Sequence, residues 1–326
     1  MRRREFITLL GCSAAAWPLV AHAQQSQKIP RVGVLFTGSA AGVAELVEGF
    51  RVGLRDKGYV DGHSIAVEVR YADGNLERLK ELAKELTQQV NVIVVANSTA
   101  AQAVLGAAKN FPIVIAGGSI DPIAEGLADS LANPGHNVTG VSALLRDMGA
   151  KYIELAKEVS PRISRVAMLF DKHQPYVFDK TASEVAARQL GISLEWVEFQ
   201  RPEEFAAIFD HAHKQGIETV IVLSSPQSYH HAAEIAKMAI DAKMVTIGTF
   251  KHYAMSGFLI SYASDLVDSY RRAAAYVDKI LNGAKPGDLP IDEATKFQVV
   301  LNLKTAANLG LNIPQSILIR ANEVIE

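Results

Sequence analysis

The feature that most constrains the fold of this chain is the regular alternation of short apolar runs with helical stretches. The run from Arg31 to Phe36 indicates a buried strand, and the segment 42–57 spaces its apolar residues at helical intervals. The pattern continues with strands at 65–71, 92–96, 113–116 and 138–141, helices at 75–89 and 99–109, and a short helical segment near 122–131. Such alternation predicts a parallel α/β sheet.

A second series of the same kind begins after a helix at 147–159, which Ser160-Pro161 ends. It has strands at 165–170, 193–199, 218–223 and 244–247, and helices at 175–190, 203–215 and 228–242. The rest is less regular, with strands at 258–262 and 297–302, a helix at 265–281, a linker at 282–290 and short helices near 304–309 and 314–319. The fold class is therefore α/β, with two successive open parallel sheets that form two lobes and a crevice between them.

We expect the chain to pass between the lobes more than once in its last third, which would create a hinge. The first lobe is predicted to contain residues 24–143 with about 254–285. The second is predicted to contain residues 144–253 with about 286–326.

The N-terminus indicates export. Three arginines precede an apolar stretch from Phe6 to Val20 and the cleavage signal Ala21-His22-Ala23, so residues 1–23 are predicted to be a signal peptide. Arg3-Arg4 fits the twin-arginine pattern, with an ordinary secretory signal as the alternative. Cleavage after Ala23 removes Cys12, the only cysteine, which excludes disulfides and thiol chemistry from the mature chain.

The charge balance excludes a nucleic-acid partner. Lys and Arg number 33 and Asp and Glu 35, and loss of the leader makes the mature chain slightly more acidic. Such a chain has no basic footprint for phosphates. The leader itself is too short and interrupted to span a membrane, so no direct membrane insertion is expected after its cleavage.

Small hydroxyl and glycine residues follow several strands of the first lobe, at the edge where α/β sheets bind ligands. They form the runs Thr37 to Ala41, which includes Ser39, Asn97 to Ala101, and Gly117 to Asp121. Their hydroxyls, and backbone N–H groups at helix starts, suit an anionic group such as a carboxylate. Helix capping is the open alternative, because the same residue types are preferred N-caps.

The second lobe offers Asp171, Ser224 and Phe250, each after a predicted strand. Asp171 facing Ser98 or Ser119 across the cleft would hold a cationic group, while Phe250 would wall an apolar or aromatic pocket. The alternatives are an exposed turn aspartate and a core aromatic residue.

Enzyme signatures are missing: the sequence has no G-x-S-x-G, S-x-x-K, H-E-x-x-H or P-loop motif. His230, His231 and Glu234 are a weak metal pattern without a third ligand in sequence reach. We therefore predict no catalytic residues, no metal site and no cofactor.

Several motifs resemble those of the ABC transporter substrate-binding proteins in the group that includes tryptophan and tyrosine binders. They are GYVDG at 58–62, PGHNVTG at 134–140, SY at 261–262, YRRA at 270–273, YVDKIL at 276–281, GAKP at 283–286, DLP at 288–290, TKF at 295–297, NLKTA at 302–306 and RANEVIE at 320–326. The resemblance covers essentially the whole mature chain. It implies a type I periplasmic binding protein fold, in which two Rossmann-like lobes are joined by three crossovers, and it implies no catalysis. It also implies ligand contacts from Ser98, Thr99, Ser119 and Asp121.

The chain departs from that group where the ligand would bind. Ser224 and Ser225 stand where relatives commonly carry acidic residues, and Lys251-His252 replaces a frequent Arg-Glu pair. A missing carboxylate weakens binding of an α-ammonium group. The ligand predicted from the sequence is therefore either an amino acid or an organic acid.

The sequence predicts a periplasmic protein that captures a small-molecule ligand by hinge closure and delivers it to an ABC permease in the inner membrane. A ligand-sensing protein for a membrane receptor and an exported α/β enzyme are the alternatives.

Overall fold

The computed structural model describes residues 29–40, 43–143, 148–173 and 180–326, with the backbone alone at Ser119. The predicted signal peptide at 1–23 lies outside the described residues. The first lobe contains, in chain order, β1 (Arg31–Phe36), α1 (Ala44–Asp56), β2 (Ala66–Tyr71), α2 (Leu76–Gln89), β3 (Val92–Asn97), α3 (Ser98–Ala107), β4 (Ile113–Ser119), β5 (Val138–Ser142), and later α10 (Leu266–Leu281) and β11 (Ile291–Glu293).

The second lobe contains the remaining elements. They are α4 (Met148–Val159), β6 (Arg165–Asp171), α5 (Lys180–Gln189), β7 (Ser193–Phe199), α6 (Phe205–Lys214), β8 (Thr219–Val222), α7 (Pro226–His230), α8 (Ala232–Asp241), β9 (Val245–Gly248), α9 (Lys251–Met255), β10 (Ile260–Ser264), β12 (Phe297–Asn302), α11 (Leu303–Leu309), α12 (Gln315–Arg320) and β13 (Glu323–Ile325). Short 3-10 turns lie at Pro202–Glu204 and Pro286–Asp288.

Each lobe is built on one open sheet. The strand order is β11-β5-β4-β3-β1-β2 in the first and β13-β12-β10-β9-β8-β6-β7 in the second. The pairings are parallel except that of β10 with β12, which is antiparallel. Two separate sheets of this kind, each with its own helices, confirm the predicted fold class.

The core of the first lobe shows why these segments pair. The apolar residues of β3 from Val92 to Val95 are fully buried, as expected for a central parallel strand. On one face of the sheet, α1 packs against α10 so closely that a Cβ at Gly53 would lie 2.2 Å from the carbonyl oxygen of Arg271. Each fully buried Val, Leu or Phe side chain contributes about 1.5–3 kcal/mol, so this packing fixes α10 on the first lobe.

Sheet membership differs from the expected boundaries at two places. The segment expected in the first lobe from about residue 254 begins there only at α10, because β10 pairs with β9 and β12 of the second sheet. β11 pairs with β5 in the first sheet, so the second lobe resumes at β12 rather than near residue 286. The chain consequently crosses between lobes three times, after β5, after β10 and after β11.

The helix predicted near 122–131 is absent from the structure, which has turns there. The Asp121 side chain accepts hydrogen bonds from the N–H groups of Ile123 and Ala124, which closes a single turn. Gly126, at φ +66°, then takes the chain out of helical geometry. None of the helices within the described ranges has both the length and the apolar character required to cross a membrane.

Candidate ligand-binding cleft

A cleft of ≈ 270 Å³ lies between the two lobes. Its first-lobe wall comes from the ends of β1, β3 and β4 and from α10, and its second-lobe wall from the segments after β8 and β9. The lining residues are Phe36, Thr37, Gly38, Ser39, Val43, Leu46, Gly74, Ala96, Asn97, Gly118, Leu266 and Tyr270 from the first lobe, and Ser224, Ser225, Pro226, Tyr229, His230, Phe250 and His252 from the second. The cleft therefore occupies the carboxyl edge of both sheets, as predicted for this fold.

Asn97 organises the polar part of the first-lobe wall. Its Oδ1 accepts from the N–H of Ala100 at 2.9 Å and so caps α3. Its Nδ2 donates to Oγ1 of Thr37 at 3.0 Å, which ties the loop after β1 to the end of β3. One amide thus holds two cleft-lining segments together.

Two glycines lie at the end of β4, and the second of them, Gly118, lines the cleft. Gly117 and Gly118 have φ values of +78° and +77°, a region that favours glycine. A Cβ at Gly118 would lie 1.9 Å from the carbonyl oxygen of Ala96, and the register between β3 and β4 shifts at this point. The two strands can approach this closely only because residue 118 has no side chain.

The second-lobe wall begins with a capping box at the start of α7. Ser225 Oγ accepts from the N–H of Ser228 at 3.2 Å, and Ser228 Oγ accepts from the N–H of Ser225 at 2.9 Å. Behind it, the buried hydroxyls of Ser228 and Tyr253 lie 2.8 Å apart. Burial raises the pKa of Tyr253, while hydrogen bonds from Ser224 and Ser228 oppose that rise.

A stacked pair of rings covers the second-lobe side. The Tyr229 and His252 rings lie 4.0 Å apart at 18°. His252 Nε2 lies 3.1 Å from the carbonyl oxygen of Tyr229, so the neutral tautomer with hydrogen on Nε2 is favoured. Burial lowers the pKa of His252, against the opposing effect of that hydrogen bond, and burial raises the pKa of Tyr229 to about 12.

Three further rings stack along the first-lobe side. Phe36 lies between Tyr71 and Tyr270, with centroid separations of 5.6 and 5.8 Å and interplanar angles of 12° and 14°. Among the described lining residues there is no carboxylate, lysine or arginine. The cleft therefore presents aromatic faces, hydroxyls, one amide and two imidazoles, a surface suited to a planar solute with polar edges.

Three of the predicted ligand-binding residues, Ser39, Ser224 and Phe250, line this cleft. Ser98 and Asp121 instead surround Glu125, whose Oε1 accepts from Ser98 Oγ at 2.6 Å and from the Asp121 N–H at 3.1 Å. Burial raises the pKa of Glu125, although those two hydrogen bonds lower it. Sequence reasoning missed this carboxyl, which no strand end or motif marks.

The other predicted residues lie outside the lining of this cleft. Thr99 is in the first turn of α3, and Asp171 ends β6, where its Oδ1 accepts from the N–H of His173 at 2.9 Å. Ser119 ends β4 beside Asn97, and its side chain lies outside the described residues. Contact of Ser98, Thr99, Ser119, Asp121 and Asp171 with a ligand stays a prediction.

Sequence reasoning also missed the two cleft tyrosines, Tyr229 and Tyr270. Both lie inside helices rather than in the turns after strands. His230, considered above as a metal ligand, lines the cleft, and the described residues contain no group of three or more acidic, histidine or cysteine side chains placed to hold a metal ion.

A second cavity of ≈ 440 Å³ adjoins the first on the hinge side. Lys251 lies in its wall, with Nζ 2.8 Å from Glu323 Oε2 and 3.5 Å from Glu45 Oε2. The hydrogen bond that Lys251 donates to Glu323 raises the pKa of Lys251, and Glu45 adds to the effect. Because Glu45 belongs to α1, this cluster links the two lobes beside the cleft.

Known proteins share this architecture. A tyrosine-binding protein of Clostridioides difficile is 26% identical over 291 residues, which are 83% of this chain and 80% of that protein. A conserved domain protein of Vibrio cholerae has a TM-score of 0.80 at 25% identity, covering 91% of this chain and 100% of its own. An ABC domain from Streptococcus pneumonia in complex with L-Trp has a TM-score of 0.79 at 24% identity, covering 91% and 99%.

The family described as ABC transporter substrate binding protein matches residues 31–325. The match includes both sheets, all three crossovers and every residue that lines the cleft. The predicted type I periplasmic binding protein fold is confirmed, and the chain belongs to the ABC transporter substrate-binding protein family.

Proposed function

We propose that this protein is exported to the periplasm, captures a small aromatic solute between its lobes and delivers it to an ABC permease in the inner membrane. The observation that carries the proposal is the composition of the cleft, in which aromatic rings from both lobes face one cavity. A solute in that position contacts both lobes, so its binding favours the arrangement in which they are close.

The chemistry of the lining favours a planar ligand. Phe36 and Tyr270 on one side and Phe250, Tyr229 and His252 on the other provide apolar ring surface. Thr37, Ser39, Asn97 and Ser224 then supply hydrogen-bonding groups at the edges. Proteins similar to this one are described as binding tyrosine or L-Trp, which agrees with an aromatic solute, and an aromatic organic acid meets the same requirements.

The hinge supplies the motion. The lobes are joined by the three crossovers after β5, β10 and β11, and the last two are adjacent because the N–H of Asp265 donates to the carbonyl oxygen of Lys296 at 2.8 Å. Short neighbouring connections allow one lobe to rotate against the other while each sheet stays intact. No covalent step is required for capture or release.

The test is thermal unfolding of the mature protein, freed of carried-over ligand by unfolding and refolding, against aromatic amino acids, aromatic acids, and aliphatic amino and organic acids. A solute at about 100 times its dissociation constant adds roughly 2.7 kcal/mol of stability, which raises the melting temperature measurably. We expect aromatic compounds to produce this rise. A rise with aliphatic compounds alone, or turnover of any compound, contradicts the proposal.

Two matched variants locate the binding event. Ser39→Phe puts a ring into the cleft from an exposed position and should abolish the ligand-induced rise. Ser316→Phe makes the same change at an exposed position of α12 that is not part of the lining, and it should retain the rise. Equal loss in both variants would place the binding site elsewhere.

A further inference from the structure

Tyr270 is fully buried in the second turn of α10, and its ring forms part of the cleft lining. Within the part of the chain that the structure describes, its hydroxyl has no hydrogen-bond partner. Buried hydroxyl groups are nearly always paired, because an unpaired one forfeits its interaction with water. This hydroxyl therefore requires an explanation, and its place beside the cleft suggests one.

The Tyr270 ring belongs to a row of three stacked rings. It stacks on Phe36 at 5.8 Å, and Phe36 in turn stacks on Tyr71. Beside Tyr270, a Cβ at Gly117 would lie 2.9 Å from the side chain of Ser269, so α10 packs directly on the end of β4.

The environment of Tyr270 keeps its hydroxyl protonated. Burial raises the pKa of Tyr270, and nearby Tyr229 and Tyr71 raise it further. Tyr229 belongs to the second-lobe wall of the same cleft. Tyr270 stays protonated and is able both to donate and to accept a hydrogen bond.

We propose that the Tyr270 hydroxyl is the deep polar contact of the cleft, and that it selects aromatic solutes carrying a hydroxyl or N–H group at the end of the ring that enters first. The inference rests on the proposed function and adds the ligand group that the site recognises. A ligand that carries such a group forms a hydrogen bond with the buried Tyr270 hydroxyl, whereas an unsubstituted ring leaves that hydroxyl unpaired.

The first experiment compares ligands that differ by one hydroxyl group. Isothermal titration calorimetry is done with L-tyrosine against L-phenylalanine, and with 4-hydroxybenzoate against benzoate. The hydroxylated member of the pair that binds should be favoured by at least about fivefold and up to about 100-fold in wild-type protein. In Tyr270→Phe that preference should fall to about twofold or less, with the affinity for the unsubstituted ring almost unchanged. Equal affinities in wild-type protein, or an unchanged preference in the variant, overturns the proposal.

The second experiment needs no ligand and uses two buried tyrosines as a matched pair. Tyr270→Phe removes an unpaired hydroxyl, so the melting temperature of the ligand-free protein should be unchanged or higher. Tyr253→Phe removes a hydroxyl that lies 2.8 Å from Ser228 Oγ, so this variant should lower the melting temperature by about 2 °C or more. A comparable loss in Tyr270→Phe shows that its hydroxyl has a structural partner and overturns the inference.

The two experiments separate the possible failures. If no aromatic compound binds, the proposed function fails, and the melting temperature of Tyr270→Phe still decides whether its hydroxyl is unpaired. If compounds bind without regard to the ring hydroxyl, aromatic capture stands and the role of Tyr270 fails.

Discussion

Single residues decide how closely the strands beside the cleft approach, and Gly118 is the sharpest example. Gly118→Ala places a methyl group against the carbonyl oxygen of Ala96 and also strains a backbone with φ of +77°. We expect the free energy of unfolding to fall by about 3 kcal/mol or more, measured by urea denaturation.

Gly106 provides the control for that substitution. It is exposed near the end of α3, and nothing lies within 4 Å of an added Cβ. Gly106→Ala should raise stability by about 0.5 kcal/mol, because alanine favours the helix. If both variants lose stability equally, the crowding at Gly118 is not the cause.

Through His252, the stability of the folded protein depends on pH. Burial lowers its pKa from the ordinary 6.5, so the folded protein binds this proton less readily than the unfolded chain. The stability gained by burying the neutral His252 ring is fully present above pH 6.5, the ordinary pKa of histidine. It is lost as the pH falls toward the lower pKa of His252 in the folded protein. His252→Gln should therefore lose less stability than wild type between about pH 7.5 and about pH 5, measured by thermal unfolding.

Replacing an exposed histidine tests whether the pH dependence of stability comes from the burial of His252. His63→Gln alters an exposed side chain in the loop before β2 and should leave the pH dependence of wild type in place. If the two variants have the same pH profile, the acid sensitivity does not come from the cleft histidine.

At the scale of elements, the hinge depends on where α10 begins. Asp265 Oδ1 accepts from the N–H of Asp268 at 3.0 Å, which caps the helix directly after the second crossover. Asp265→Ala should cost about 1 kcal/mol of unfolding free energy, whereas Asp265→Asn, which keeps an acceptor oxygen, should cost only a few tenths. Chemical denaturation distinguishes the two; an equal loss in both would mean that the charge, not the cap, matters.

The sequence predicted most of the elements and missed β11, β13 and α9 for a physical reason. β3 and β6 are runs of apolar residues buried on both faces, a pattern that only central parallel strands require. β11 and β13 have three residues each and α9 has five, too few to show any periodicity. Their places are set by pairing with β5 and β12 and by packing, so the lobe boundaries shifted with them.

In the candidate site too, the sequence predicted some lining residues and missed others. Ser39, Ser224 and Phe250 follow strands, and the rule that ligands bind at the carboxyl edge predicts their position. Tyr270 belongs to the apolar stripe of a helix, where a cleft residue has the same pattern as a core residue. Ser98 and Asp121 also follow strands, but they lie around Glu125 rather than in the lining of the cleft. The residue types that bind anions also cap turns, so the sequence pattern alone does not separate the two roles.

At the scale of the whole molecule, the cleft and the link between lobes share one short helix. α9 follows Phe250 and carries His252, which line the cleft, while Lys251 between them reaches Glu45 of the first lobe and Glu323 of the second. A solute that binds in the cleft as proposed would therefore act on the same segment that joins the lobes on the hinge side.

Glu45→Gln should weaken solute binding without abolishing it. The Lys251 to Glu45 pair spans the lobes at 3.5 Å, and the Glu45 side chain is 72% exposed. An exposed pair contributes about 0–1 kcal/mol, so the affinity for the tightest-binding aromatic compound should fall by no more than about fivefold. Calorimetry in about 1 M salt should erase the difference, because screening there acts over about 3 Å. Asp241→Asn, which breaks a pair with Lys237 inside α8, should leave affinity unchanged at either salt concentration. A loss above tenfold, or one that persists in salt, would mean that Glu45 acts through the ligand site itself and not through the link between lobes.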